Sequence, residues 1–468
     1  MDNKKSIFLF IIILISGYAS LALELLAIRQ LVPYLGSDTI ITSIVIGIVL
    51  IFLSIGYYRS GKINIKKSSI RDKIVNNFVI ATCFIFISTT YVFLDNYFKF
   101  FEFIGITNRI LKAFSFSILF LSVPSYLLAQ TTPLISNYFS KNISGKSTGI
   151  ILMFGTFGSF AGSLFTTLFI MPVFGVNYAV MFNVFLMTVA ILLLNRRNRI
   201  EIYILTFLSI ILTFMFNNSI LEKKLGILVN NEFSTIKVAA TDNGDSKIMI
   251  VNNSYASKIS KNEVLMFDYV KYIEQNFINY LPKSGEKKDV LILGAGGFTM
   301  GIKDEYNNYT FVDINKALLG VSEKYFLEKK LSGNKQYIVS DARAFLKQNS
   351  KKYDLIILDT YSYSTEIPTH LITEEYFLSV KNSLKNNGVM VANIIMMPNF
   401  NDKFSIKIDN TIQSVFKNVQ RQVIGNFNPW GEAGQNANSN VIYAYFNSNF
   451  KTDKTYTDNN NSFSIDSF

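Results

Sequence analysis

Cysteine, histidine and charged residues are all scarce in this 468-residue sequence. Its one cysteine, Cys83, excludes an internal disulfide framework and a thiolate metal site. Its one histidine, His370, excludes a histidine-rich zinc centre. Charged side chains make up 17% of the residues, against about 25% in ordinary soluble proteins. No metal is therefore expected, and the low charge directs attention to the apolar segments.

The apolar residues are concentrated before residue 220 and divide into seven runs. Half of all residues are hydrophobic, and the mean hydropathy is +0.28. Most runs are long enough for a helix to cross about 30 Å of hydrocarbon. The first is not a cleavable signal peptide, because it continues through Glu24 to Arg29. We predict a multi-span α-helical membrane domain over residues 1–219. Its runs are 7–28, 39–58, 76–94, 113–135, 148–171, 174–194 and 202–217.

Two features inside these runs allow a functional or a structural interpretation. Glu24 and Arg29 lie near the end of the first run, and charge inside a membrane is costly and often functional. The favoured interpretation is that both lie at the membrane interface. In the fifth run, Gly155, Gly158 and Gly162 are small residues that let helices approach closely. We expect tight helix packing there rather than a ligand site.

The formal net charge of +12 fits a lipid bilayer as the partner. Many lysines and arginines lie in short loops between apolar runs, where membrane proteins place them against anionic lipid. The soluble half has no basic stripe interleaved with aromatic residues, so nucleic acid is not a predicted partner.

After residue 220 the sequence changes to short strands and helices. Residues 220–225 are predicted to be a linker, and strands at 235–239 and 247–251 predict a small β-hairpin domain. This domain, with a helix at 263–280, covers residues 220–282. Strands at 289–293, 309–312, 336–339, 353–358 and 388–394 then alternate with helices and predict a doubly wound α/β sheet over residues 283–450. Strands at 419–424 and 441–446 would add an antiparallel edge. The polar tail 451–468 is predicted to be disordered.

Glycines and a carboxylate follow the first two parallel strands, at the edge where such sheets bind ligands. Gly294, Gly296 and Gly297 let the backbone approach a ligand. Asp313 ends the second strand, where it can accept hydrogen bonds from a ribose diol. These features fit a nicotinamide dinucleotide or an S-adenosyl cofactor, although Thr299 stands where the dinucleotide fingerprint has its third glycine.

Carboxylates after the third and fourth strands favour the S-adenosyl cofactor, and with it a methyltransferase-like Rossmann domain. Asp341, followed by Ala342, can accept a hydrogen bond from an adenine amino group; the alternative is that Asp341 caps the next helix. Asp359 can hold and deprotonate an amine beside a bound sulfonium, and the alternative is again a cap. His370 is expected to shape the loop over the site.

Residues 290–395 resemble the spermidine synthase (polyamine aminopropyltransferase) family. The resemblance rests on segments in the same order: Leu-Ile-Leu-Gly-Ala-Gly-Gly-Phe-Thr, Phe-Val-Asp-Ile-Asn, Ser-Asp-Ala-Arg-Ala-Phe-Leu, Tyr-Asp-Leu-Ile-Ile-Leu-Asp-Thr-Tyr-Ser and Ile-Pro-Thr-His-Leu-Ile-Thr-Glu-Glu-Tyr-Phe. The hairpin resembles the family's small β domain. The helical half resembles the anchor of membrane-bound spermidine synthase-like proteins, through Leu-Glu-Leu-Leu-Ala-Ile-Arg and the glycine-rich fifth run.

The resemblance implies transfer of an aminopropyl group from decarboxylated S-adenosylmethionine to putrescine or another amine. Methylthioadenosine would leave, and no metal would take part. Asp313 would bind the ribose, Asp341 the adenine, and Asp359 would be catalytic. The implied substrate-binding residues are Asp268, Tyr361, Ser362 and His370. The family also implies a homo-oligomer.

The sequence departs from the family on the amine side of the site. Ser362 stands where the family has a second acidic residue, and Ser234 where it has a glutamine. Met266 and Phe267 replace a Tyr-His pair, while Asp268 keeps the adjacent acidic position. These differences indicate an acceptor other than ordinary putrescine.

Two other functions stay open at this stage. The same sheet would serve a methyltransferase that uses S-adenosylmethionine itself. A transporter or sensor with a non-catalytic nucleoside-binding domain would account for Glu24 and Arg29.

The predicted location is the cell (inner) membrane, as a multi-pass protein. Basic residues are more frequent at the end of the bundle that carries the amino terminus, and the positive-inside rule places that end in the cytoplasm. With seven spans, the soluble domain would then lie outside. An S-adenosyl cofactor, which is made in the cytosol, predicts a cytoplasmic soluble domain instead.

Overall fold

The computed structural model describes residues 3–63, 67–139, 145–195, 199–241, 244–260, 266–363, 366–425 and 438–447. The chain divides into two compact units. The amino-terminal unit comprises Met1–Met266, Ala317–Lys330 and Tyr361–Pro368. The carboxy-terminal unit comprises Phe267–Lys316, Leu331–Thr360 and Thr369–Phe468. The domain boundaries after residues 219, 282 and 450 stay predictions, and the predicted tail 451–468 lies outside the described residues.

Apolar helices make up most of the amino-terminal unit. In chain order they are α1 (Asn3–Leu35), α2 (Thr39–Gly61), α3 (Lys67–Thr89), α4 (Tyr91–Phe103), α5 (Arg109–Phe116), α6 (Ser122–Ala129), α7 (Thr131–Phe139), α8 (Gly145–Phe165), α9 (Met171–Phe174), α10 (Val176–Leu194), α11 (Ile200–Phe216) and α12 (Ser219–Lys224). Turns of π-helix join α5 to α6 at Ser117–Leu121 and α8 to α9 at Thr166–Ile170.

Six helices in the described part of the chain are long and apolar enough to cross a membrane. A seventh crossing results if α3 and α4, which meet at an angle of 65°, count as one bent span. The predicted number of about seven agrees with the larger count. The first predicted run, 7–28, is shorter than α1, because Leu31 and Leu35 at its far end are also fully buried.

Hydrogen bonds between helices show which end of the bundle each one reaches. Gln30, near the end of α1, donates to the carbonyl oxygen of Thr89 at the end of α3 (2.8 Å), so α1 and α3 run parallel. Arg109, at the start of α5, donates to the carbonyl oxygen of Leu35 at the end of α1 (3.0 Å). The segment α5–α7 therefore starts where α1 ends and runs in the opposite direction.

The last helices continue the alternation. Arg71, near the start of α3, donates to the carbonyl oxygen of Leu193 near the end of α10 (3.2 Å). Asn217, directly after α11, donates to the Thr90 hydroxyl at the opposite end of the bundle (2.9 Å). In the described residues, the chain thus passes seven times between the two ends and leaves the bundle at the end opposite Asn3.

Glycines bring α1 and α8 into backbone contact. A Cβ atom at Gly158 would lie 2.2 Å from the carbonyl oxygen of Leu14, and one at Gly162 would lie 2.4 Å from that of Tyr18. From α1, a Cβ atom at Gly17 would lie 2.3 Å from the carbonyl oxygen of Gly155. No larger residue fits these positions without separating the helices, so the prediction of close packing is confirmed.

A four-stranded antiparallel sheet follows the helices. Its strands are β1 (Ile227–Asn230), β2 (Thr235–Ala240), β3 (Ser246–Val251) and β4 (Ser254–Ser260), in the spatial order β1-β2-β3-β4. The predicted hairpin is β2 and β3, which the sequence analysis recognised without their two neighbours. The predicted linker at 220–225 contains the short helix α12. The Asn218 side chain caps it by accepting from the Leu221 backbone, and Lys223 and Lys224 complement its carboxyl end.

The carboxy-terminal unit is built on a seven-stranded sheet. Its strands are β5 (Asp289–Leu293), β6 (Asn308–Asp313), β7 (Lys335–Val339), β8 (Tyr353–Leu358), β9 (Leu384–Met396), β10 (Gln420–Ile424) and β11 (Ser439–Phe446). The spatial order is β10-β11-β9-β8-β5-β6-β7, and β11 runs antiparallel to both neighbours. This is the predicted Rossmann-like sheet with its antiparallel edge.

Burial on both faces explains why these strands are recognisable in the sequence. Val290, Leu291, Ile292 and Leu293 of β5 are all at most 1% exposed. Parallel strands covered on both faces read as continuous apolar runs, and β5 and β8 have the predicted bounds.

The helices of this part of the chain are α13 (Asp268–Ile273), α14 (Ala317–Val321), α15 (Ala342–Gln348), α16 (Glu374–Asn382) and α17 (Lys403–Val415). Of these, α14 falls in the amino-terminal unit.

Candidate active site

Four predicted site positions lie side by side at the carboxyl edge of the sheet. The strands β8, β5, β6 and β7 are neighbours in that order and are parallel. Asp359 follows β8, Gly294 follows β5, Asp313 ends β6, and Asp341 follows β7 by two residues. The sheet therefore brings together the glycine turn and the three carboxylates that the sequence analysis selected.

Packing within the protein already requires glycine in the turn after β5. Gly294 has a φ of +95°, and a Cβ atom there would lie 2.1 Å from the carbonyl oxygen of Asp359. Only glycine therefore lets the ends of β5 and β8 approach this closely. Gly296 also has a positive φ, +49°, and Gly297 is buried. A ligand role for this turn stays a prediction.

Asp313 is fixed by backbone groups. Its Oδ2 accepts from the Ala295 backbone N–H (3.1 Å), and its Oδ1 accepts from that of Asn315 (3.0 Å). Burial raises the pKa of Asp313, and these hydrogen bonds oppose the shift. The carboxylate also accepts from the Ile314 backbone, which leaves one of its lone pairs to accept a ligand hydroxyl.

Asp341 has two protein partners. Its Oδ1 caps α15 by accepting from the Ala344 backbone N–H (2.9 Å), and its Oδ2 lies 2.8 Å from Nε2 of His370. Burial favours a higher pKa for Asp341, but the bonds from Ala344 and His370 outweigh it and lower the pKa. The capping role is thus present, and adenine binding stays a prediction. Ala342, the first residue of α15, is buried.

Asp359 lies in a small polar network. Its Oδ2 accepts from the Tyr269 hydroxyl and its Oδ1 from the Asn393 amide, each at 2.9 Å. The Asn393 amide oxygen in turn accepts from the Asn440 side chain (2.8 Å). Burial raises the pKa of Asp359 to about 6, although the bonds from Asn393 and Tyr269 oppose the shift. A carboxylate with this pKa can take a proton near neutral pH.

Tyr269 and Asn393 were not among the predicted site residues. Asn393 is 2% exposed in β9, within the apolar run Met-Val-Ala-Asn-Ile-Ile. A lone amide in a buried apolar strand must find a hydrogen-bonding partner, and this was the available signal. Tyr269 gave no such signal, because it lies in α13, beside the exposed Asp268.

A comparison with protein families matches the part of the chain that carries the glycine turn and the three carboxylates. Residues 271–425 match the spermine/spermidine synthase domain family. The match includes the segment 290–395 on which the resemblance was based, so that part of the prediction is confirmed.

Curated relatives of the synthase domain are polyamine aminopropyltransferases. A probable polyamine aminopropyl transferase of Bifidobacterium longum is 32% identical over 131 residues, which are 28% of each chain. A polyamine aminopropyltransferase of Vibrio vulnificus is 29% identical over 154 residues, 32% of this chain and 50% of that one. The chain spans about half the length of such relatives, or less.

Two solved structures are among those similar to the chain. A probable spermidine synthase from Corynebacterium glutamicum aligns with a TM-score of 0.40 and 22% identity, covering 48% of this chain and 81% of that one. Spermidine synthase from Thermotoga maritima aligns with a TM-score of 0.35 and 16% identity, covering 46% and 70%.

Two predicted substrate residues of the synthase domain belong to the amino-terminal unit. Ser362 donates from its backbone and its hydroxyl to the carbonyl oxygen of Glu366, at 2.9 and 3.2 Å. The carbonyl oxygen of Ser362 accepts from the Asn252 side chain (2.9 Å). Tyr361 precedes this turn. The roles of Tyr361 and Ser362 towards an amine stay predictions.

Glu24 and Arg29, the charges of the first predicted span, are both buried in α1. Arg29 donates to the carbonyl oxygen of Asn231 (2.5 Å) and to the Asn230 side chain (3.2 Å), so it joins α1 to the end of β1. Glu24 makes no hydrogen bond with the residues that the structure describes. Among those residues, no group of three or more acidic, histidine or cysteine side chains could hold a metal ion.

Proposed function

We propose that the protein is a membrane-anchored aminopropyltransferase. It moves an aminopropyl group from decarboxylated S-adenosylmethionine to an amine and releases methylthioadenosine. The observation that carries the proposal is Asp359, a carboxylate with a pKa of about 6 at the ligand-binding edge of a spermine/spermidine synthase domain.

The chemistry requires a base but no metal. The lone pair of the acceptor nitrogen attacks the aminopropyl carbon next to the sulfonium, forming a C–N bond. The C–S bond breaks, and its electron pair neutralises the sulfonium as methylthioadenosine leaves. Asp359 takes the proton that the nitrogen loses, while the bonds from Tyr269 and Asn393 hold its carboxylate in place.

The nucleoside side of the site has suitable groups. The turn at Gly294, Gly296 and Gly297 lies beside Asp313, whose remaining lone pair suits a ribose hydroxyl. Asp341, followed by Ala342, would accept from the adenine amino group, and its contact with His370 keeps the carboxylate ionised.

The amine side favours an acceptor other than putrescine. Asp268, Tyr361, Ser362 and His370 are the proposed contacts. Ser362 cannot supply the negative charge that attracts a second ammonium group, so the acceptor needs one reactive amine rather than two. The same substitution favours a second candidate function, a methyltransferase that uses S-adenosylmethionine. A lipid bilayer and a second copy of the chain are the proposed partners.

The test combines binding and turnover in the detergent-purified full chain. Calorimetric titration with decarboxylated and intact S-adenosylmethionine identifies the preferred sulfonium, and a panel of amines is then screened for methylthioadenosine release. We expect release that Asp359→Asn abolishes. Glu305→Gln removes the same charge at an exposed position of the unit and should leave release unchanged. Product that carries a transferred methyl group would instead establish the second candidate, and binding of neither sulfonium would refute both.

A further inference from the structure

The segment that follows Asp359 is fastened to the helical bundle. Residues Tyr361–Pro368 belong to the amino-terminal unit, although Asp359 is only two positions earlier in the chain. Consecutive Cα atoms are about 3.8 Å apart, so whatever fixes Tyr361 also restricts the backbone that leads to Asp359. We call the described residues of this stretch, 361–363 and 366–368, the tethered segment.

Glu366 attaches the tethered segment to the ends of membrane-type helices. Its Oε2 lies 3.3 Å from Nη1 of Arg109, the first residue of α5. The same guanidinium donates to the carbonyl oxygen of Leu35 at the end of α1 (3.0 Å) and lies 3.9 Å from the carboxylate of Asp38, which caps α2. Arg109 thus holds the beginnings or ends of three helices and the tethered segment together.

The turn between α1 and α2 is shaped to receive this carboxylate. Gly36 has a φ of +86°, and a Cβ atom there would lie 1.8 Å from Oε2 of Glu366. The backbone N–H of Ser37 also donates to Glu366. The Glu366 side chain is only 15% exposed, so it is inserted into the turn and does not form a mobile surface ion pair.

A second attachment holds the other end of the tethered segment. Asn252, at the tight turn between β3 and β4, has a φ of +49° and donates to the carbonyl oxygen of Ser362 (2.9 Å). Its own amide oxygen accepts from the Thr235 backbone (3.0 Å). The hydrogen bonds from Ser362 to the carbonyl oxygen of Glu366 close the segment on itself. Ser362 and Glu366 are therefore held to each other, Ser362 also to the four-stranded sheet and Glu366 also to the helices.

We propose that Glu366 and Arg109 are positioning residues, through which the membrane helices set the tethered segment for the acceptor amine. The inference rests on the proposed function, because Tyr361 and Ser362 are its proposed amine contacts. Glu366 itself is occupied by Arg109 and the α1–α2 turn and does not react. Loosening this attachment should weaken use of the amine and leave nucleoside binding intact, since the proposed nucleoside contacts lie at Gly294–Asp341.

The experiment uses charge reversal and a charge swap in the detergent-purified full chain. Glu366→Arg, Arg109→Glu and the double variant are compared with the unmodified protein. The acceptor is putrescine or, if putrescine is inert, the panel amine that releases most methylthioadenosine. Each single reversal should raise KM for the amine roughly ten- to hundredfold. The swap should recover part of the loss, because it restores the ion pair but not the hydrogen bonds to the Leu35 carbonyl oxygen and from the Ser37 backbone. The Kd for decarboxylated S-adenosylmethionine, measured by calorimetry, should not change.

A matched control and an activity-independent measurement complete the test. Glu201→Arg reverses one charge of the exposed Arg199–Glu201 pair at the other end of the bundle and should leave KM unchanged. Amide hydrogen exchange in the tethered segment should accelerate in the single variants and slow again in the swap. If the unmodified protein is active and charge reversal leaves KM or hydrogen exchange unchanged, the inference is wrong and the proposed function stands. If nucleoside affinity falls together with use of the amine, the ion pair has only a general structural role and the inference is wrong. An inactive unmodified protein would overturn the proposed function, and the inference with it.

Discussion

The hydroxyl of Tyr269 offers a direct test of how Asp359 is tuned. Tyr269→Phe removes one of the two hydrogen bonds to the Asp359 carboxylate and changes little else in size. That bond stabilises the ionised form, so its loss should raise the pKa of Asp359 above its present value of about 6. Since the proposed base must be ionised, the variant should lose activity at low pH and keep it at high pH.

The size of this effect follows from the strength of the bond. A hydrogen bond to a charged group contributes about 1.5–3 kcal/mol, and one pKa unit corresponds to about 1.4 kcal/mol. The pKa of Asp359 should therefore rise by about one to two units in Tyr269→Phe. At pH near 6 about half of the unmodified sites are ionised, against roughly a tenth or less in the variant, so the rate there should fall at least about fivefold.

The assay is kcat/KM for methylthioadenosine release between about pH 5 and pH 9, which reports the free enzyme. Protonation of the acceptor amine affects both proteins equally, so the ratio of the two profiles isolates Asp359. Tyr272→Phe, on the same helix, is the control and should follow the unmodified profile. A Tyr269→Phe profile with an unshifted acid limb would refute the assignment of Asp359 as the base that this network tunes.

Two further substitutions separate roles that overlap in the structure. Asp341→Ser keeps a helix-capping oxygen but removes the carboxylate. Thermal unfolding should therefore change little, while nucleoside affinity should fall about tenfold. An unchanged nucleoside affinity would show that Asp341 only caps the helix. Gly158→Ala places a Cβ atom against the Leu14 carbonyl oxygen and should cost about 1–3 kcal/mol in detergent, measured by thermal unfolding. Gly149→Ala in the same helix, where a Cβ atom meets nothing within 4 Å, is its control and should not destabilise.

The sheet was predictable because its buried strands are recognisable in the sequence as apolar runs. Strands β5 and β8 have the predicted bounds, since parallel strands covered on both faces are nearly continuous apolar runs, here Val290–Leu293 and Leu355–Leu358. Strand β4 was not predicted, because its lysine and serines give no apolar alternation. Strand β1 has only four residues, too few for a periodicity to emerge.

The site was predictable only where side chains are tied to strand ends. Asp313 and Asp359 follow from the rule that parallel strands present their carboxyl ends at one edge. Tyr269 and Asn393 reach Asp359 across separations of 90 and 34 residues. Arg109 and Glu366 are 257 residues apart. No local pattern encodes such pairs, because tertiary packing alone decides which distant side chains meet.

Cysteines introduced singly at opposite ends of the helical bundle can test on which side of the proposed membrane the chain after α11 lies. The basic residues near Asn3 predict that the soluble domain lies outside the cell, whereas an S-adenosyl cofactor predicts that it lies in the cytoplasm. The structure has the seven passes that were predicted, so a miscounted span does not explain this conflict. In a Cys83→Ser background, Tyr255→Cys marks the end that carries β4, where Tyr255 is 69% exposed, and Gly61→Cys marks the opposite end. The charge distribution predicts that an impermeant maleimide labels Tyr255→Cys in intact cells and Gly61→Cys only after lysis. The reverse pattern would contradict the charge rule and place the proposed reaction in the cytosol, beside its nucleoside supply. The predicted pattern would require that the sulfonium substrate cross the membrane before it reaches Asp359.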